Sequence, residues 1–160
     1  MAPQIGVSEQ EAEVYIEKFF TMMPDVRRWI AKQKEAVLRD HEVVSIYGKK
    51  RRFPFIADRQ HRSEVLRQAV NMPVQSSVSD MTLLANIKIL KILSDKGIEV
   101  RPWPHIHDGF LFQVDERYVD EAVGVTRDVL HDVEFPTEVH FAAEIEVGDR
   151  WGEMEVVYSG

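Results

Sequence analysis

The chain has 160 residues, no cysteine, and a formal charge of −7 from 27 acidic against 20 basic side chains. Its length suits one domain, and 44% hydrophobic with 29% charged residues supports a packed core and argues against wholesale disorder. The missing cysteine excludes a disulfide scaffold and Cys-ligated zinc or iron–sulfur centres, no apolar run approaches a membrane span, and Met1-Ala2-Pro3-Gln4 opens no secretory signal, so a soluble cytoplasmic domain is expected.

In chain order, Ser8-Glu9-Gln10-Glu11 is a capping-box pattern. Ala12, Tyr15, Ile16, Phe19 and Phe20 then follow at helical spacing. Pro24 suits the first turn of a second helix, marked by Val26, Trp29, Ile30, Val37 and Leu38 and reaching about Arg39. Val43–Tyr47 is strand-like, Gly48 breaks it, and Arg52–Phe55 resumes as a return, with Lys49–Arg52 at the tip or on the returning arm. A helix is expected from about Ser63 to Val70, interrupted at Pro73 and carried on through Val78, Met81, Leu84, Ala85, Ile87 and Leu90 to Lys96. Gly97 should end it. Ile98–Arg101 and Phe110–Val114 read as strands around a His107-Asp108-Gly109 turn, Tyr118–Leu130 as an amphipathic helix, and Val139–Val147 as a half-buried strand. The fold class is α+β: helices, one of them long and kinked, on a small, mainly antiparallel sheet.

Charge is unevenly spread. Residues 1–48 sum to −2, residues 49–67 to +5 and residues 68–160 to −10. A basic segment in an acidic chain fits either a localised anion contact or a solvated loop. His105-Ile106-His107-Asp108-Gly109 is the densest group of reactive side chains. It fits a carboxylate offered to a divalent cation, a His-x-His metal site, or simply a good turn. His131 and His140 are further imidazoles, but nothing in their spacing recruits them to such a site. Arg67, Asn71 and Gln75 are spaced to share one helix face, able to meet phosphate, sugar and base edges or only solvent.

The string RQAVNMPVQSSVSD resembles the segment ER-x-A-x-N-x-P-x-QG-x-x-x-D of family A DNA polymerases. It precedes an HDG hairpin where that family has HDE, called motif C. Tyr47-Gly48-Lys49-Lys50-Arg51-Arg52-Phe53-Pro54 resembles the family's G-R-R…P element, and the stretch from Phe110 through Val147-Gly148-Asp149-Arg150-Trp151 resembles the end of such enzymes. The similarity runs in order from about Gly6 to Trp151.

The resemblance implies roles. Asp108 would be one of two palm aspartates binding two magnesium ions, with His107 beside the primer terminus. Arg67, Asn71 and Gln75 would contact primer–template, Gln75 testing the minor-groove edge, where correct pairs offer similar acceptors. Lys49, Lys50, Arg51 and Arg52 would touch the nucleic-acid backbone. Residues 1–57 would be distal fingers helices and a basic hairpin. Residues 58–160 would be a partial palm with the kinked helix, the motif C hairpin and a C-terminal helix and strand.

The sequence departs from the pattern at Gly109 (usually Glu), Leu66 (usually Glu) and Ser76 (usually Gly). The family's first catalytic aspartate, in a motif resembling D-Y-S-Q-I-E, and its nucleotide-binding fingers helix do not occur in these residues. The chain alone is therefore not expected to polymerise DNA. The expectation is a C-terminal part of a phage-type split or truncated polymerase, whose metal site and dNTP site are completed by an upstream polymerase fragment. Met1 falls just after the absent helix, as a gene broken there would produce. A remnant or an expressed fragment would read the same. The alternative is a non-catalytic DNA-binding module. Unpartnered apolar helix faces would make the isolated chain poorly soluble or obligately associated.

Overall fold

The computed structural model describes residues 6–53, 59–106, 108–132 and 141–160. The expected return at Pro54 and Phe55, the start of the last strand at Val139, and the side chains of His107 and His140 lie outside the described residues. The elements run α1 (Glu9–Met22), α2 (Pro24–Asp40), β1 (Glu42–Val44), β2 (Lys50–Arg52), α3 (Arg59–Asp95), β3 (Val100–Pro102), β4 (Phe112–Val114), a 3-10 turn (Glu116–Tyr118), α4 (Val119–Asp132), β5 (Glu144–Val147) and β6 (Glu155–Ser159). The chain divides into two compact units, Met1–Gln75 and Ser76–Gly160. The α+β class holds. Among the described residues the strands form three separate two-stranded antiparallel sheets, because each strand pairs only with its neighbour in sequence.

In the first unit the capping box forms as expected. The Ser8 hydroxyl accepts from the Glu11 amide at 3.3 Å, and the Glu11 carboxylate accepts from the Ser8 amide at 2.9 Å. None of the residues of α1 is buried; Tyr15, Ile16 and Phe19 remain exposed. Pro24 opens α2, and His41 ends it in the left-handed region at φ 56°. The Ser45–Lys49 turn that follows has Gly48 at φ +81°, a conformation glycine takes without a Cβ penalty. β1 and β2 then pair Glu42 with Arg52, Val43 with Arg51 and Val44 with Lys50. Strand alternation puts Val43 on the core side, where it joins Val37, Phe53, Val65 and Ala69.

Helix α3 is one helix from Arg59 to Asp95, where the sequence predicts an interruption at Pro73. Proline removes a single amide donor, and buried positions recur every fourth residue on both sides of it: Val65, Ala69, Pro73, Ser77, Met81, Ala85, Ile89 and Leu93. This stripe differs from the predicted one, since Leu84 and Ile87 are exposed.

In the second unit α3 ends in a Schellman motif. The Ile98 amide donates to the Leu93 carbonyl at 3.0 Å and the Gly97 amide to Ser94 at 2.9 Å, with Gly97 at φ +76°. Leu93 and Ile98, the pair such a motif brings together, sit in one core with Ala85, Ile89, Ala122 and Val129. That core seats β3, β4 and α4 through Val100, Phe112, Val114 and Val125. β6 is a strand the sequence reading did not anticipate; it pairs with β5 with an irregularity between Ile145 and Glu146. Gly148 permits that hairpin, because a Cβ there would lie 2.4 Å from the Glu153 carbonyl oxygen.

Candidate functional site

The motif C-like turn is an extension of the β3–β4 hairpin. Beyond Pro102–Phe112 the Trp103 amide donates to Leu111 at 2.9 Å, and Ile106 and Gly109 exchange both amide–carbonyl bonds at 2.9 Å. Between these two pairings one arm holds Pro104 and His105 and the other only Phe110. The first arm is therefore bulged, which bends the hairpin and re-aims its end. Asp108 lies between Ile106 and Gly109 and is exposed, with no side-chain bond to another described residue. His105 Nε2 is buried without a hydrogen-bond partner among the described residues.

Asp108 and Gly109 line an open cleft of about 1810 Å³ in this unit, together with Phe110, Phe112, Ala122 and Ile145. Thr126, 5% exposed, also lines it, and its hydroxyl has no hydrogen-bond partner among the described residues. No group of three or more His, Asp or Glu among the described residues is arranged to hold a metal ion. The His-x-His site weighed from sequence gains no ligand from His131, whose ring nitrogen instead bonds Tyr158.

The basic run lies mostly on β2, on the returning arm of the first hairpin, and the hairpin divides it between two faces. Lys50 and Arg52 share the outward face with Glu42, at 2.8 Å and 3.7 Å from its carboxylate. The Lys50 hydrogen bond, aided by both cationic charges, holds the Glu42 carboxyl below its ordinary range. Arg51 is on the other face. Its Nη2 donates to Gln68 Oε1 at 2.5 Å, and its guanidinium lies 5.1 Å from the Phe53 ring centroid. Lys49 is exposed, and its amide donates to the Ser45 hydroxyl at 3.2 Å.

Arg67, Asn71 and Gln75 are all exposed on α3, and their side chains bond no other described residue. The structure therefore brings Lys49–Arg52 and this helical stripe into one unit and sets Asp108 in the other. Glu42 and Gln68 are partners of the basic strand that the linear reading missed. Glu42 was within reach of the sequence: a turn centred on Tyr47, one residue before the break at Gly48, puts residue 42 opposite residue 52.

A sequence profile described as DNA polymerase family A matches residues 1–153. The chain is 30% identical over 157 residues to a thermostable DNA polymerase I from Thermus filiformis, covering 97% of this chain and 18% of that protein. It is 32% identical over 164 residues to a DNA polymerase of Bacillus phage SP01, covering 95% and 17%. Among solved structures, the POL domain of Pol1 from M. smegmatis, in complex with DNA primer-template and dNTP, superposes with a TM-score of 0.72 at 28% identity, over 80% of this chain and 23% of that one. The chain spans about a sixth of the length of the curated relatives it matches. With 153 of its residues inside the profile, the chain belongs to DNA polymerase family A.

Proposed function

We propose that this chain supplies the primer–template contacts and one metal-binding aspartate of a family A DNA polymerase, and that it acts only with a segment bearing the second aspartate and the nucleotide-binding helix. The observation that carries the reading is the ordered pair of motifs, RQAVNMPVQSSVSD on an unbroken helix and HDG on a hairpin, in a chain similar to a POL domain solved with primer-template and dNTP. Arg67, Asn71 and Gln75 face the duplex, Lys49–Arg52 meet phosphates, and His107 lies beside the primer terminus. Residues 1–57 are the distal fingers and residues 58–160 the partial palm. In the split, phage-type form the completing segment is a separate chain.

Magnesium is the ion that suits a carboxylate shared with phosphate oxygens. The described residues do not make a complete site for it, since Asp108 stands without a second carboxylate and Gly109 replaces the usual Glu. Asp108 therefore functions as a contribution to a shared site. The open cleft beside it, lined by Phe110, Phe112 and Ile145, fits a surface that another polypeptide segment covers.

Affinity purification of the tagged chain from its host, with a magnesium-dependent primer-extension assay on the eluate, tests the proposal. Extension is expected from the chain with its co-purifying partner and not from the Asp108→Asn version. Duplex binding with no partner and no extension would favour the second reading, a non-catalytic DNA-binding module, to which Gly109 lends its weight.

A further inference from the structure

We propose that Gln68 is a positioning residue for nucleic-acid binding, holding the Arg51 guanidinium on the polar face of α3 so that strand and helix present one phosphate-binding surface. The inference rests on the primer–template reading above and extends it to a residue outside the recognised motif positions. Gln68 is the x of R-x-A, a place where the motif specifies nothing.

The register of the first hairpin turns Arg51 toward the side of Val43, away from Lys50 and Arg52. There Gln68 uses both ends of its amide: Oε1 accepts from Arg51 at 2.5 Å, and Nε2 donates to Glu64 Oε1 at 2.9 Å. The two bonds fix the amide's orientation, because only the oxygen can accept from a guanidinium. Positions 64, 68, 71 and 75 fall on one face of a helix, so Arg51 is held beside the stripe that contains Asn71 and Gln75.

The neutrality of the anchor matters. Lys50 and Arg52 are fixed by the carboxylate of Glu42, which cancels part of their charge. An amide oxygen orients Arg51 without cancelling its charge, and among the described residues one of its five N–H donors is engaged. With the guanidinium over the Phe53 ring, its remaining donors can meet an anion. Ordering the side chain before binding also reduces the entropy lost when a phosphate docks.

The test is anisotropy of the full chain on a labelled primer–template duplex across a series of sodium chloride concentrations. Gln68→Met is expected to weaken binding roughly threefold to tenfold and to flatten the slope of log affinity against log salt by about one, as Arg51→Ala does. The double variant should be no worse than Arg51→Ala alone, since the two act through one contact. A neutral side chain that alters the salt slope acts through a charge, which a merely structural role would not do. Methionine and alanine both favour helix, so Gln68→Ala replaces Gln68→Met should circular dichroism find the latter misfolded. Wild-type affinity and slope in the Gln68 variants, or losses that add in the double variant, would overturn the inference while leaving the primer–template reading intact. A wild-type chain that ignores the duplex would overturn both.

Discussion

The two hairpins that bear the candidate site residues are secured in opposite ways. The first is tied to its helix by side chains: Val43 and Phe53 enter a core with Val65 and Ala69, and Arg51 bonds Gln68. The second is rooted by its strands in the core of the other unit; beyond the bulge at Pro104-His105 the backbone pairing of Ile106 with Gly109 closes the turn, and Asp108 stands exposed. A surface that meets a repetitive polyanion gains from being preformed. A carboxylate proposed to complete a shared metal site instead needs its other donors brought to it, and among the described residues no group of three or more His, Asp or Glu is arranged to hold an ion.

The largest effect should come from removing that carboxylate. Asp108→Asn is expected to lower magnesium-dependent extension by the partnered enzyme about a thousandfold or more, since lost metal coordination withdraws several kcal/mol of charge stabilisation. Thermal unfolding should barely change, because Asp108 supports no described neighbour. A large loss of stability would break the contrast between the hairpins. Phe53→Ala probes the opposite case. Its ring is 6% exposed, so truncation should cost about 3 kcal/mol of stability by denaturant titration. It should weaken duplex binding as well, because it loosens the strand that displays Arg51.

Much of this architecture is written locally. The Ser8–Glu11 box, Pro24 at the start of α2 and Gly97 after α3 are decided by residues within one helical turn, and each is legible in the sequence. The helix through Pro73 is not, since its continuity depends on burial from Val65 to Leu93 on both sides of the proline. β6 was missed although Val156-Val157-Tyr158 has strand-forming residues, because no alternation marks it and its pairing depends on the close approach that Gly148 allows. Leu84 and Ile87 show that apolar spacing identifies a helix without identifying which positions face the core. For the site, the order of motifs was readable, as order is a property of the string. The partners Glu42 and Gln68 join residues in different elements and emerge only when those elements pack.

Glu42 sharpens the comparison from the side of charge. If its carboxylate restrains Lys50 and Arg52, Glu42→Gln should raise duplex affinity roughly threefold and steepen the salt dependence, the reverse of losing Arg51. Unchanged affinity in the same anisotropy assay would mean that the outward face of β2 does not meet phosphate.

The smallest effect belongs to the base of the second hairpin. Asp115 follows β4 and accepts from the Arg117 amide at 3.0 Å while pairing with the Arg117 guanidinium at 2.9 Å. These bonds, the guanidinium's first, lower its pKa from 3.8 to about 2. A depressed folded-state value means that the charged form favours the fold. The contribution is complete above about pH 4 and disappears as pH falls from there through about 2. Asp115→Asn keeps an acceptor for the Arg117 amide but cannot titrate, so its acid unfolding curve should lose the component in that window and match the wild type's at neutral pH to within a small offset. The offset is small because the pair is solvent-exposed, at 47% for Asp115 and 76% for Arg117. A shift as large as that of Phe53→Ala would mean that this exposed pair anchors the second hairpin as firmly as buried packing anchors the first, and the contrast between them would fail.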